Sequence, residues 1–200
     1  MTLVSKRDRE DIIVVSGIPR SGTSMMMQMV EAAGFPILAD DKRAPDDANQ
    51  KGYYELEAVK ASKRDTSWVA AAPGHAVKVI HALLPHLPTG HRYRVVLMKR
   101  DLREVVASQT AMLEATGQSA DDLPEARLVE IFSTQLTQTR RTLDETPCFE
   151  WIEVEYADLL RGDEAEILRV ANFLGRPARS AGMGRVIDQG LYRARTGHSG

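Results

Sequence analysis

From Ile12 to Val15 the chain carries four consecutive β-branched residues, and Ser16 and Gly17 follow them. A run that is apolar at every position, not at every second one, predicts a parallel strand covered on both faces, here Ile12 to Ser16. The period then becomes helical. From about Ser24, apolar residues recur at Met25, Met26, Met29 and Val30 as far as Ala33, and Gly34 and Pro36 supply the stop. Ala76 to Ile80, Tyr93 to Met98 and Phe149 to Val154 read as further strands. Helices are expected from about Leu56 to Trp68 and from Asp101 to about Leu113, the latter opened by the capping box Asp101-Leu102-Arg103-Glu104. Two more run from Pro124 to about Leu143, with Leu128, Phe132, Leu136 and Leu143 on one face, and from Asp163 to Leu174, ended by Gly175 and Pro177. The polar stretches Ala39 to Gly52 and Glu114 to Leu123 read as surface loops, the first a candidate substrate lid. Strands alternating with helices predict an α/β fold with three layers, α/β/α, around a central, mostly parallel sheet.

Composition narrows this picture. With 200 residues, 43% hydrophobic and 27% charged, the chain is expected to form a single domain over 1–200, in which 1–11 is an N-terminal extension and 190–200 an irregular tail. A net charge of −2 gives no global attraction to nucleic acid or to an anionic membrane, so neither is expected as a partner and any basic site must be local. Cys148 is the only cysteine, which excludes an internal disulfide framework and cysteine-rich metal sites. The charged opening, Met1 to Asp11, lacks an apolar signal core, and no later stretch approaches the roughly 18 apolar residues of a membrane span. A soluble, cytoplasmic protein is the expectation; a homodimer is left open.

The chemistry is concentrated where strands meet helices. Gly17-Ile18-Pro19-Arg20-Ser21-Gly22-Thr23-Ser24 follows the first strand with the G-x-x-x-x-G spacing of a Walker A loop. Such a turn aims successive backbone N–H groups, and the positive end of a helix dipole, at one point where a tetrahedral anion fits. The hydroxyls of Ser21, Thr23 and Ser24 and the cation of Arg20 add side-chain donors. Thr23 stands where an NTPase has its lysine, and no Walker B aspartate follows Leu97-Met98, where Lys99-Arg100 comes instead. Magnesium-dependent hydrolysis of ATP or GTP is therefore disfavoured, and no grouping of residues has metal-ligand spacing.

At the second junction Lys99, Arg100 and Arg103 gather at the carboxyl end of a strand, and Ser108 lies eight residues beyond Arg100. Seven helical residues rise about 10 Å, a gap that an arginine side chain lying back along the helix can close. Arg100 and Ser108 are thus candidates to share one anion. The alternative is that these basic residues form solvated ion pairs with Asp101 and Glu104. Two anion sites at adjacent strand ends suit a nucleotide phosphorylated at both ends of its ribose.

On these residues the chain resembles the sulfotransferases that use 3′-phosphoadenosine 5′-phosphosulfate (PAPS) and release the 3′,5′-bisphosphate (PAP). Pro19-Arg20-Ser21-Gly22-Thr23-Ser24 is similar to their 5′-phosphosulfate loop, and Arg100-Asp101-Leu102-Arg103-Glu104-Val105-Val106-Ala107-Ser108 to their 3′-phosphate segment. Tyr156-Ala157-Asp158-Leu159-Leu160 and Phe173-Leu174-Gly175 resemble two later elements of the family. The resemblance implies a P-loop NTPase-like fold and transfer of a sulfuryl group to a hydroxyl or amine of a small-molecule acceptor. It implies that Arg20, Ser21, Gly22, Thr23 and Ser24 hold the 5′-phosphosulfate, that Arg100 and Ser108 hold the 3′-phosphate, and that Tyr156 lies near the adenine. Arg193 and Arg195, before Gly197, would correspond to a late basic segment that closes on the 3′-phosphate, although the usual Arg-Lys-Gly is here Arg195-Thr196-Gly197.

Catalytic roles follow from the same resemblance. Lys78 stands where the family's Lys-Thr-His-Leu-Pro motif has its lysine, and with Arg20 it would meet charge growing on the bridging oxygen. A lysine snorkelling from a strand is its alternative reading. Two positions later stands Ile80, not histidine, so a different base is needed. Gly52-Tyr53-Tyr54-Glu55 is similar to the Gly-Tyr-(Phe/Tyr)-Glu of bacterial members, in which a glutamate deprotonates the acceptor, which makes Glu55 the candidate base and leaves His81 and His75 as alternatives. Two other functions stay open: a P-loop kinase or NTPase, and a nucleotide-binding module of this fold without catalysis.

Overall fold

The computed structural model describes residues 10–40, 54–115, 117 and 123–187. Four strands, β1 (Ile12–Gly17), β2 (Ala76–Lys78), β3 (Tyr93–Lys99) and β4 (Phe149–Glu155), form one sheet in the order β2-β1-β3-β4, and every pairing is parallel. The uniformly apolar first run becomes an inner strand, buried at every residue. Its side chains alternate between two cores, as the pleat requires. Ile13 and Val15 join Val96 and Met98 beneath α1 (Thr23–Ala32), α6 (Glu164–Phe173) and α7 (Ser180–Arg185), with Met26, Met29, Ile167 and Met183 filling that layer. Ile12 and Val14 face the other way, with Val77, Val95, Leu97, Leu84 and Leu143, the last from α4 (Glu125–Glu145). The three-layer α/β/α arrangement is thus that expected from the alternation of elements.

The foot of the sheet is closed by charge. Asp11, 1% exposed, lies 3.1 Å from Arg92 Nε and 3.0 Å from Arg94 Nε, so the buried carboxylate is compensated where β1 begins. The opposite, carboxyl end carries the loops. Helix α3 (Leu102–Ala115) follows β3, and α5 (Tyr156–Leu160) follows β4 without a gap.

Two expectations change, and one element is new. The helix foreseen from Leu56 to Trp68 exists only as α2 (Glu57–Lys60), followed by turns and a 3₁₀ segment over Ser67–Ala71. Ser62 explains the break: its hydroxyl donates to the Val59 carbonyl at 2.6 Å and accepts from Trp68 Nε1 at 3.1 Å, while Asp65 takes the Ser67 N–H at 2.8 Å. These bonds offer the backbone an alternative to the helical ladder. Strand β2 stops at Lys78, two residues before Ile80, which is 38% exposed at the entry to a 3₁₀ turn over His81–His86. Helix α7 forms in a segment that carried no periodic signal. Residues 41–53, most of the candidate lid, and the tail with Arg193 and Arg195 lie outside the described residues.

Candidate functional site

Because β1 and β3 are neighbours, with Gly17 opposite Met98, the two strand-to-helix junctions meet at the carboxyl end of the sheet. At the first, the chain turns so tightly that a Cβ on Gly17 would stand 2.4 Å from Ser21 Oγ and 2.9 Å from the Met98 carbonyl oxygen. Arg20 adopts a left-handed backbone, φ 75°, which costs a non-glycine residue about 1–2 kcal/mol. Gly22, φ 98°, ends the loop as the N-cap of α1, and no side chain caps that helix start. Ser21 Oγ and Ser16 Oγ are buried and have no hydrogen-bond partner among the described residues.

The second junction is built by Asp101, whose carboxylate accepts from the Arg103 N–H at 2.8 Å and the Glu104 N–H at 3.2 Å and so starts α3. Glu104 turns to Arg100, receiving Nε at 2.9 Å and Nη2 at 2.8 Å. Arg100 has a side chain only 7% exposed, donates Nη1 to the Arg20 carbonyl at 3.1 Å, and lies 4.9 Å from the Tyr156 ring centroid. The same ring packs against Gly22, where an added Cβ would meet Tyr156 Cδ2 at 2.3 Å. Arg20 Nε donates to Ser108 Oγ at 3.1 Å, and Gln109 Nε2 donates to the Pro19 carbonyl at 2.9 Å.

Arg20, Ser21, Gly22, Arg100, Ser108 and Tyr156 are therefore gathered into one cluster at the crossing of the junctions. Direct bonds within it join residues that the spacing did not link. Arg20, from the other junction, is the arginine that reaches Ser108, and Arg100 makes the Glu104 ion pair weighed as its alternative while also touching the loop. Lys99 pairs with Glu155 and, at 3.8 Å, with Glu153, and the hydrogen bond to Glu155 raises its pKa above the usual lysine value. Arg103 is exposed, and Thr23 is buried in the first turn of α1.

A second group flanks the loop on the β2 side. Lys78, opposite Val15 in the ladder, lies 3.8 Å from Glu55, which is also 3.8 Å from Lys60. The Glu55 backbone is held by the Asp40 N–H at 2.8 Å. Its neighbour Tyr54 has φ 51° and donates its hydroxyl to Glu31 at 2.9 Å. Burial first, then the bond to Glu31, pushes the Tyr54 phenol up to about 12. His81 sits at the root of the loop, Nδ1 3.3 Å from the Gly17 carbonyl and Nε2 3.0 Å from Gln135 Oε1, while His75 is turned to the Pro73 carbonyl at 3.1 Å. The Gln109 strap, the Glu31–Tyr54 bond and the His81–Gln135 pair left no mark in the local sequence, because each joins residues distant along the chain. No group of three or more His, Cys, Asp or Glu among the described residues is arranged to hold a metal ion.

A family model for the sulfotransferase domain matches residues 9–192. The chain belongs to the sulfotransferase-domain family. No curated protein sequence matches it significantly. Among solved structures it is similar to retinol dehydratase in a complex with retinol and PAP, with a TM-score of 0.52 and 18% identity, covering 92% of this chain and 70% of that one. Retinol dehydratase with androsterone and PAP gives a TM-score of 0.49 and 21% identity, covering 87% of this chain and 62% of that one. Mouse sulfotransferase SULT7A1 complexed with PAP gives 0.49 and 13%, with 90% and 64% covered. The likeness to the first, at this identity, is one of fold, and this sulfotransferase-domain chain spans less than two thirds of the length of the other two.

Proposed function

We propose that the protein is a sulfotransferase that moves a sulfuryl group from PAPS to a hydroxyl or amine of a small acceptor. The observation that carries this reading is the buried, unpartnered Ser21 hydroxyl at the uncapped start of α1. A buried polar group without a bond costs about 1–3 kcal/mol, and an anionic oxygen seated at the helix start relieves that cost. The PAP in the solved relatives has the matching chemistry, phosphates at both ends of one ribose. Arg20, Ser21, Gly22, Thr23 and Ser24 would hold the 5′ end. Arg100 and Ser108 would hold the 3′ end, with Tyr156 beside the base and Arg193 and Arg195 closing over it. Ser108 then exchanges or shares its bond from Arg20, and the Arg20 cation is released toward the sulfuryl end.

PAPS supplies an activated sulfuryl group; the chain's own residues do the rest. Glu55 takes the proton of the acceptor as the acceptor atom bonds to sulfur, and the bond from sulfur to the bridging oxygen breaks. Lys78 and Arg20 meet the charge arriving on that oxygen. Both ring nitrogens of His81 are engaged, and His75 faces a backbone carbonyl, which supports Glu55 as the base. No helix among the described residues is long and apolar enough to cross a membrane. The single cysteine, Cys148, supports a cytoplasmic setting.

Thermal shift tests the donor. Ligand at 100 times its dissociation constant stabilises the folded state by about 2.7 kcal/mol, so PAP should raise the melting temperature well above the values in ADP, ATP or 5′-AMP at equal concentration. An ATP shift equal to or larger than that of PAP overturns the proposal.

A further inference from the structure

We infer that His81 is a positioning residue for the anion loop, acting as a side-chain rung that replaces a missing strand. In the ladder between β1 and β2 the bonds run from the Ile13 N–H to His75 and from the Val79 N–H to Val15, so odd-numbered residues of β1 face β2 while Ile12 bonds across to Arg92. Continued by one step, this alternation assigns the Gly17 carbonyl to the N–H of residue 81. The strand has ended by then. Lys78 is its last residue, Ile80 turns the chain, and His81 opens a 3₁₀ segment. The imidazole takes over what the backbone no longer offers, with Nδ1 3.3 Å from the Gly17 carbonyl. A carbonyl only accepts, so this rung requires the proton on Nδ1.

The ring is itself anchored. His81 is 6% exposed, and Nε2 lies 3.0 Å from Gln135 Oε1 on α4; with the proton on Nδ1 this nitrogen accepts, so the rung requires the Gln135 amide to turn its NH2 to the ring. The carbonyl it holds belongs to a residue with no room for a side chain, since a Cβ on Gly17 would meet Ser21 Oγ and the Met98 carbonyl. Fixing the Gly17 carbonyl fixes the peptide plane from which the loop departs, and hence the direction of the amides that follow. The inference rests on the donor reading above, and it assigns His81 no proton transfer.

The test compares His81→Leu, His81→Asn and His81→Gln with wild type, reading calorimetric affinity for PAP and for inorganic pyrophosphate beside steady-state kinetics. Asparagine presents an N–H near the position of Nδ1; glutamine carries its N–H further out. Misplaced donors cost up to about 100-fold, so His81→Leu should weaken both ligands and lower kcat/KM for PAPS by roughly 10- to 100-fold, with acceptor KM within about twofold. His81→Asn should restore most of this and His81→Gln little. Equal behaviour of the asparagine and leucine variants, or a fall in melting temperature alone, overturns the inference. In wild type, nitrogen NMR should find the proton on Nδ1, and a neutral Nε2–H ring overturns it even if the leucine variant fails to fold. Wild type that binds pyrophosphate but not PAP overturns the donor reading instead, and the pyrophosphate data then judge the rung.

Discussion

Replacing Gly22 by alanine tests whether the loop and the Tyr156 ring form one packed unit. Two separate costs arise. Gly22 has φ 98°, and a left-handed conformation costs an L-residue about 1–2 kcal/mol. The new methyl would also lie 2.3 Å from Tyr156 Cδ2 and 2.8 Å from Cε2, where carbon contacts want about 3.5–4 Å. The ring, which also carries the Arg100 guanidinium over it, must retreat by more than an ångström, and overpacking of this kind costs about 1–3 kcal/mol. Gly34→Ala is the control, because Gly34 has a similar φ of 92° and no atom within 4 Å of the added carbon. Urea unfolding should show Gly22→Ala less stable than Gly34→Ala by about 1–3 kcal/mol, or roughly 2–12 °C in Tm for a chain of this size. Adding Tyr156→Ala to each should shrink that gap, since the atoms in conflict are then absent. Equal destabilisation by the two glycine variants refutes the packing argument.

Three further outcomes are expected. Arg100→Ala should weaken PAP far more than 5′-AMP in calorimetry, and equal loss for both removes the 3′-phosphate assignment. Glu55→Gln should lower turnover by about 10² to 10⁴, the range for loss of a general base, with donor affinity retained, and a fall below about tenfold points to another base. The Tyr54 phenol, raised from 10.0 to about 12, favours its protonated form in the folded state, so its contribution is complete below pH 10 and is lost between pH 10 and 12. Tyr54→Phe should therefore flatten the fall of the urea midpoint across that window, and curves that stay parallel to wild type contradict this.

The sheet and both junctions could be read from the chain because their signals are local. Ile12 to Val15 is apolar at each position, and Asp101 carries its cap within three residues of Glu104. Local signals also misled. The pattern from Leu56 to Trp68 has helical spacing, but Ser62 and Asp65 bond the backbone into turns. At the site, residue types were legible and partners were not. Counting along the helix shows that Arg100 and Ser108 can share an anion, but it gives no hint that Arg20, 88 positions from Ser108, donates to that hydroxyl. Only the docking of β1 against β3 puts those two within range.

The parallel order of the sheet also bears on how the chain acquires its anion loop. Gly17 leaves an inner strand flanked on one side by Ala76–Lys78 and on the other by Tyr93–Lys99, so neither neighbour can be supplied by a hairpin. Pairings between such distant segments form slowly, in roughly milliseconds to seconds for topologies dominated by non-local contacts. The anion loop consequently takes its final shape only with these long-range pairings, and a ribosome-bound chain cannot complete it until the segment ending at Lys99 has left the exit tunnel.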